Sequence, residues 1–161
     1  ILVDTNLGFF LDAYNRSVRK VQKQSPKFYL FDMGVKRSLQ NMLNVPLMPR
    51  TTEFGDAFES WFVGECFRLN HYHELDFKFS YLRTKDDVEV DLIIERPGQS
   101  QILLEIKSSD RIDDRHVKNL VHFSKDFPEA ELICASRVSH KQIINGIKVL
   151  PWKDSLAYIG F

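Results

Sequence analysis

The sequence predicts an α/β domain in which a mixed central sheet of four or five strands is flanked by helices. Two observations carry this prediction: strand-like and helix-like apolar runs alternate, and two consecutive runs are apolar on both faces, as in strands covered from both sides. The predicted core elements are a helix at 54–70, strands at 77–83, 88–95 and 102–107, a helix from Asp113 or Asp114 to Phe127, and a strand at 132–135. This order of helix, three strands, helix and strand is typical of a layered α/β structure.

Shorter elements are predicted on either side of this core. They are strands at 7–13 and 27–31, a short helix capped by Asp32 that runs to about Asn41, a strand at 147–150, and a terminal turn or short helix after Pro151. Residues 45–49 contain two prolines, which interrupt both helices and sheet ladders, so we interpret this stretch as a linker.

Two glutamates lie within the long apolar helix at 54–70. Aromatic and aliphatic residues recur there at helical spacing, and Glu59 and Glu65 fall among them. A glutamate in such surroundings needs a cation, either a lysine or a metal ion. Either residue could therefore be the third carboxylate of a site formed with the strands.

The strongest candidate site lies on the strands at 88–95 and 102–107. Alternation places Glu105 and Lys107 on one face of their strand, and a short hairpin through Pro97-Gly98 would bring Asp91 beside them. Two carboxylates can hold a hard cation such as Mg²⁺, and an ammonium group can sit near an attacked phosphate. The alternative is a solvated hairpin face with a weak cross-strand ion pair. The apolar surroundings favour the metal site, because unpaired carboxylates there are costly.

Composition narrows the class of protein. With 161 residues, 43% of them hydrophobic, the chain is long enough for one folded domain with a substantial core. It lacks a stretch of membrane-spanning length, and Cys66 and Cys134 lie in apolar contexts, so we expect two reduced core cysteines and a cytoplasmic location. The chain does not begin with methionine, so we expect a fragment of a longer protein.

The charges are balanced overall but unevenly distributed. The 22 basic and 22 acidic residues argue against a protein that coats nucleic acid. A basic segment near the N-terminus contains Arg16, Arg19, Lys20, Lys23 and Lys27, whereas residues 74–91 are mainly acidic. A basic segment beside an acidic pocket suits phosphate binding next to metal binding, and an ordinary solvated loop is the alternative.

Several motifs in this order resemble a known family. They are Pro26 to Gly34, Gly55 with Phe58-Glu59 and Glu65, Arg83-Thr84, Glu89-Val90-Asp91, and Glu105-Ile106-Lys107-Ser108-Ser109. The chain resembles the PD-(D/E)XK restriction-endonuclease-like fold and, more closely, the carboxy-terminal uncharacterised domain of prokaryotic AAA-type ATPases. Val90 replaces the proline of the superfamily motif, Leu82 stands where an aromatic residue is common, and Asp86-Asp87 replace a usual glycine. None of these departures removes a proposed ligand.

The resemblance implies a function as well as a fold. It implies a Mg²⁺- or Mn²⁺-dependent nuclease acting on DNA rather than RNA, with Asp91, Glu105 and Glu59 as metal ligands, Glu65 as the other candidate, and Lys107 as the residue that orients or deprotonates water. It also implies one nuclease-like domain over 1–161, in which residues 1–50 join an ATPase region to a core at 51–161. The alternative is a catalytically silent module that binds DNA or a partner and regulates the attached ATPase. Oligomeric state is left open.

Other constellations are weaker. His71 and His73 could ligate a metal only in an extended segment, and no further ligand follows at zinc spacing, so a loop or strand edge is the preferred interpretation. Ser108-Ser109 could hydrogen-bond a backbone phosphate or simply begin a turn. A serine hydrolase is disfavoured because the sequence has no Gly-x-Ser-x-Gly turn.

Overall fold

A six-stranded sheet separates two layers of apolar side chains. The computed structural model of the protein describes residues 3–15 and 25–161. The elements within these ranges are β1 (Gly8–Leu11), β2 (Lys27–Leu30), α1 (Met33–Leu39), α2 (Thr52–Tyr72), β3 (Lys78–Arg83), β4 (Glu89–Glu95), β5 (Ile102–Lys107), α3 (Asp114–Phe123), β6 (Glu131–Ser136), β7 (Gln142–Ile144), β8 (Ile147–Pro151) and α4 (Trp152–Ile159). The predicted α/β class with a mixed sheet is confirmed.

The large sheet has the strand order β3-β4-β5-β6-β8-β7. Strands β3, β4 and β5 pair antiparallel, β5, β6 and β8 pair parallel, and β7 closes the far edge antiparallel to β8. The sheet therefore has one strand more than the four or five expected. The additional strand, β7, is only three residues long, and a two-residue turn with positive φ at Asn145 and Gly146 joins it to β8.

The alternation of β5 divides the buried core between the two faces of the sheet. Side chains on the α2 side of the sheet form one buried cluster, which includes Phe62, Val63, Cys66, Leu92, Ile102, Leu104 and Ile106. Side chains on the α3 side form a second, which includes Ile93, Leu103, Val117, Leu120 and Phe123. Both faces of β4 and β5 are covered, and this accounts for their nearly continuous apolar sequence.

Side-chain caps fix the beginnings of three helices. Asp32 accepts hydrogen bonds from the first turn of α1, Thr51 accepts one from the N–H of Phe54 in α2, and Asp113 accepts one from the N–H of Arg115 in α3. Helix α3 ends at Phe123, before the predicted boundary, and the chain continues as a turn. His71 and His73 lie at the C-terminal end of α2, so the expected loop or strand edge is wrong for this segment.

The N-terminal hairpin β1–β2 packs on α2. The ring of Phe9 in β1 stacks on Phe67 of α2 with the ring centroids 4.0 Å apart. After β1 the chain reaches the large sheet, where the N–H of Tyr14 donates to the carbonyl of Tyr81 at 2.8 Å. Except for Lys27, the predicted basic segment lies outside the described residues. Among the described helices, none has the length and apolar character needed to cross a membrane.

Candidate metal centre

The candidate site begins at an irregularity in β4. Ser80 of β3 pairs with Ile93, and Leu82 pairs with Val90, so one residue of β3 faces two residues of β4, Asp91 and Leu92. Such a bulge interrupts regular alternation and redirects side chains, and it is frequent beside functional sites. Here one of the two residues of the bulge is the predicted metal ligand Asp91.

The Asp91 carboxylate is held in the interior by the neighbouring strand. Its Oδ2 accepts a hydrogen bond of 2.7 Å from the backbone N–H of Ile106 in β5, although only 7% of the residue is exposed. Burial raises the pKa of Asp91 well above its usual value, and the negative charges of Glu105 and Glu59 raise it further. The position is therefore costly for a carboxylate unless a cation accompanies it.

Two glutamates join Asp91 from different elements. Glu59 extends from α2, and Glu89 stands at the beginning of β4. One carboxylate oxygen of each residue lies within 4.8 Å of the corresponding oxygens of the other two. Glu59, Glu89 and Asp91, named here the acidic trio, can therefore reach one cation together. Carboxylate oxygens are the ligands that Mg²⁺ and Mn²⁺ prefer.

The predicted pair Glu105 and Lys107 lies next to the acidic trio. The Lys107 ammonium is 2.5 Å from Glu105 Oε1 and 3.8 Å from Asp91 Oδ2. Glu105 is only 2% exposed, and its Oε2 has no hydrogen-bond partner among the described residues. Burial raises the pKa of Glu105 despite the opposing charge of Lys107. For Lys107 burial acts to lower the pKa, but Asp91 and Glu105 together outweigh it and raise the pKa.

The N-terminal hairpin contributes two further side chains to the site. Lys27 of β2 donates to Glu89 and lies 3.5 Å from Glu59 Oε1, and the Tyr29 hydroxyl donates to the same Glu59 oxygen at 2.9 Å. Burial and the charge of Glu59 raise the pKa of Tyr29, so this hydroxyl stays a donor. The hairpin thus orients Glu59 and places a positive charge against the acidic trio.

The structure brings Glu59, Asp91, Glu105 and Lys107 into one neighbourhood. It places Glu105 against Lys107 and gives the third position beside Glu59 and Asp91 to Glu89. Glu65, the other candidate for the third carboxylate, forms an ion pair with Arg68. The sequence motif Glu89-Val90-Asp91 contains Glu89, but the prediction did not include this residue among the ligands. Glu89 and Asp91 are two residues apart, so a strand places them on the same face. This spacing is the sequence feature that could have identified Glu89 as a candidate ligand.

The charges at the site fit a divalent cation. The acidic trio and Glu105 supply four carboxylates, whereas Lys27 and Lys107 supply two ammonium groups. Arg83 also contacts Glu89, at 3.4 Å, but it shares its charge with Asp87. When all these groups are ionised, two negative charges stay uncompensated, and one Mg²⁺ or Mn²⁺ would balance them. Glu105 Oε2, for which the described part of the chain offers no hydrogen-bond partner, is a further buried oxygen that a donor or a cation would satisfy.

Comparison with known proteins places the chain in a family. Residues 54–154 match the family described as "Domain of unknown function (DUF4143)". The chain belongs to this family. No curated protein and no solved structure matches it significantly. The DUF4143 match includes the whole of α2 after its first two residues and the strands β3 to β8, so it contains the acidic trio, Glu105 and Lys107. Lys27 and Tyr29 precede the matched residues.

Proposed function

We propose that this DUF4143 protein is a metal-dependent nuclease with a restriction-endonuclease-like core, which hydrolyses phosphodiester bonds in DNA with Mg²⁺ or Mn²⁺. The observation that carries the proposal is the buried Asp91 carboxylate at the β4 bulge, which lies within 4.8 Å of oxygens of Glu59 and Glu89 and 3.8 Å from the Lys107 ammonium group. Asp91, Glu59 and Glu89 would hold the metal, with Glu105 beside them. A bound divalent cation supplies Lewis-acid polarisation of the phosphate and lowers the pKa of water.

Lys107 is suited to one of the two roles predicted for it. Its raised pKa keeps the side chain protonated at neutral pH, so it is a poor acceptor for a proton from water. A charged ammonium group next to the carboxylates can orient a water molecule and stabilise the negative charge that develops on the attacked phosphate. We therefore assign Lys107 electrostatic stabilisation, not general-base catalysis.

A connection to an ATPase is part of the proposal. DUF4143 domains occur in AAA-ATPase-associated contexts. In such a protein the nuclease domain would act on DNA that the ATPase engages or moves, and residues before the core would join the two parts. A cytoplasmic location agrees with this setting.

The nuclease assay follows cleavage of plasmid and branched DNA in Mg²⁺, in Mn²⁺ and in chelator. Wild-type protein is compared with Lys107→Ala and with the control Lys78→Ala. Lys78 is an exposed lysine of β3 that pairs with Glu95, at the end of β4 away from the site. We expect Lys107→Ala to lose about 10²-fold or more of the cleavage rate, as when one group that stabilises a transition state is removed. Lys78→Ala should cleave like wild type. Equal activity of Lys107→Ala and wild type would assign the cleavage to another site or to a contaminant.

One observation favours a second candidate function, a catalytically silent module that binds DNA or a partner and regulates the ATPase. Lys27 and Lys107 already pair with Glu89, Glu59, Glu105 and Asp91, so the network is partly satisfied without a metal. Calorimetric titration separates the two functions. Absence of Mg²⁺ and Mn²⁺ binding at millimolar concentration would favour the silent module, whereas binding that depends on Asp91 would support the nuclease.

A further inference from the structure

A cavity of about 240 Å³ opens at the carboxyl end of β5, beside the candidate metal centre. The residues that give it chemical character are Arg50, Ser108, Ser109, Asp110, His116 and Arg137. Its volume is below the roughly 300–1,000 Å³ of typical small-molecule sites. The cavity is thus better suited to one group of a larger ligand than to a whole enclosed cofactor.

Two arginines at this cavity have no ion-pair partner among the described residues. The Arg137 guanidinium lies 5.1 Å from the centre of the Phe54 ring, and its backbone N–H donates to the Ser109 carbonyl at 3.0 Å. The aromatic contact holds the guanidinium without using its hydrogen-bond donors. Arg50 has a left-handed backbone with φ of 68°, a conformation that is unfavourable for a residue with a side chain. Both side chains are exposed and can reach an anion.

The acidic groups near the cavity do not cancel these charges. Asp110 is the acidic residue among those lining it. The nearby Asp113 carboxylate is already engaged, because it pairs with the Arg115 guanidinium at 2.6 Å and with His116 Nδ1 at 2.8 Å. The two arginines therefore outnumber the one lining carboxylate, that of Asp110, and the Ser108 side chain adds a hydroxyl group. Guanidinium and hydroxyl donors together are the usual partners of a phosphate group.

The position of the cavity relates it directly to the metal centre. Ser108 follows Lys107 in the chain, and Ser108 Oγ lies 3.8 Å from where a Cβ on Gly55 would stand. Gly55 precedes Glu59 by four residues in α2, which is about one helical turn or 6 Å along the axis. The cavity therefore begins about one turn of α2 from the acidic trio. A polymer with a phosphate at the metal centre would carry a neighbouring phosphate toward the cavity.

We propose that this cavity binds a backbone phosphate of a polynucleotide strand, next to the phosphate that is cleaved. Arg137 and Arg50 supply the charged donors, and Ser108 supplies a hydroxyl group, whereas the Ser109 hydroxyl already donates to the carbonyl of Arg111 at 2.6 Å. The proposal rests on the proposed nuclease function and adds to it a subsite that fixes the register of the strand. It predicts that these arginines contribute to binding without taking part in the chemical step.

The experiment measures binding of fluorescent single-stranded and duplex oligonucleotides in chelator, at several salt concentrations. Chelator prevents cleavage, so binding is tested separately from the nuclease reaction. The variants are Arg137→Gln and Arg50→Gly, and the matched control is Lys125→Gln, which removes an exposed positive charge just beyond the other end of α3. Glycine accepts the left-handed backbone at position 50, so this variant should retain a wild-type thermal midpoint.

We expect Arg137→Gln to weaken binding roughly tenfold, because a charge-assisted hydrogen bond is lost. The slope of log affinity against log salt should become shallower by about 0.9 for duplex or about 0.7 for single strands, the value for one lost phosphate contact. Arg50→Gly should shift both quantities in the same direction, and Lys125→Gln should leave them unchanged. This pattern would support the subsite.

Three outcomes would overturn it. Wild-type binding that Arg137→Gln and Arg50→Gly leave intact would remove the subsite, while metal-dependent cleavage sensitive to Lys107 would keep the nuclease. A wild-type protein that binds no oligonucleotide even at low salt would remove the polynucleotide assignment. Inorganic phosphate that binds at millimolar concentration through Arg137, without oligonucleotide binding, would assign the cavity to free phosphate instead.

Discussion

Replacement of Asp91 by asparagine should stabilise the metal-free protein and abolish its response to metal. Asparagine keeps an acceptor for the Ile106 N–H, which is 2.7 Å from Asp91 Oδ2, and it removes a charge from a position that is 7% exposed. Lys107 retains Glu105 as its partner at 2.5 Å. The substitution therefore removes the buried charge while leaving the principal hydrogen bond and the neighbouring ion pair in place.

The size of the effect follows from the cost of a buried carboxylate. Relief of such a group is worth about 1–3 kcal/mol, and for a chain of this length each kcal/mol moves the thermal midpoint by about 2–4 °C. We therefore expect Asp91→Asn to melt several degrees above wild type at neutral pH in chelator. Saturating metal should stabilise wild type by about 2.7 kcal/mol at one hundred times Kd, roughly 5–10 °C, and should not stabilise the variant.

The pH dependence of this difference has a defined sign. Because burial raises the pKa of Asp91 in the folded state, the folded protein binds its proton more tightly than the unfolded chain does. The stability associated with that proton is fully present below the unfolded pKa, near 4, and is lost as pH rises through the folded pKa. The advantage of Asp91→Asn should therefore shrink toward zero as the pH is lowered to about 4.

Differential scanning fluorimetry and calorimetry, in chelator and in Mg²⁺ or Mn²⁺ over a pH series, measure the difference in thermal midpoint between the two proteins, the metal-induced shift of each, and the pH dependence of that difference. A variant that melts below wild type in chelator at neutral pH would refute the assignment of Asp91 as a costly buried charge. A metal-induced shift of equal size in both proteins would refute its assignment as a ligand.

Three further predictions concern the site and the N-terminal hairpin, and two of them have a control variant. Glu59→Gln should remove most of the metal-induced rise in thermal midpoint, whereas Glu65→Gln should leave it unchanged, and the reverse result would exchange their roles. Lys27→Met should tighten metal binding by at least about fivefold, or about 1 kcal/mol, because the ammonium group pairs with Glu59 and Glu89 and would compete with a cation for both carboxylates; weaker binding in calorimetry would contradict this. Gly8→Ala should lower the free energy of unfolding by about 1–3 kcal/mol, because its Cβ would overlap the carbonyl oxygen of the paired strand. The control Gly64→Ala has open space around its Cβ and should be neutral or stabilising in a denaturant titration.

The central strands were predictable because their side chains obey simple rules. Continuous apolar sequence in β4 and β5 indicated burial on both faces. Alternation along β5 accounts for Leu104 and Ile106 on one face of the sheet and Leu103 on the other. The proximity of Asp91 to Glu105 and Lys107 followed from a short hairpin. The caps Asp32 and Asp113 were predictable from residue type, since both precede helical runs and can accept first-turn N–H groups.

Long-range features of the site were not predictable in this way. The bulge at Asp91 and Leu92 depends on pairing between β3 and β4, and a period of two read along one strand cannot reveal an extra residue. The contact of Lys27 with Glu89 joins residues 62 positions apart. The choice of Glu59 over Glu65 as the residue nearest Asp91 depends on the rotation of α2 against the sheet, which the apolar pattern of that helix left open.

The two hairpin residues that contact the acidic trio come from outside the 54–154 segment that defines the family match. A protein cut to that segment would keep every carboxylate and lose both Lys27 and Tyr29, which pair with Glu59. The hairpin is a separate two-stranded sheet, and its side chains Phe9, Leu11 and Tyr29 are buried in the core cluster on the α2 side of the large sheet. The position of β2 in this core therefore fixes the ammonium group of Lys27 and the hydroxyl group of Tyr29 against the acidic trio, so the net charge of the candidate metal centre depends on a segment outside the family match.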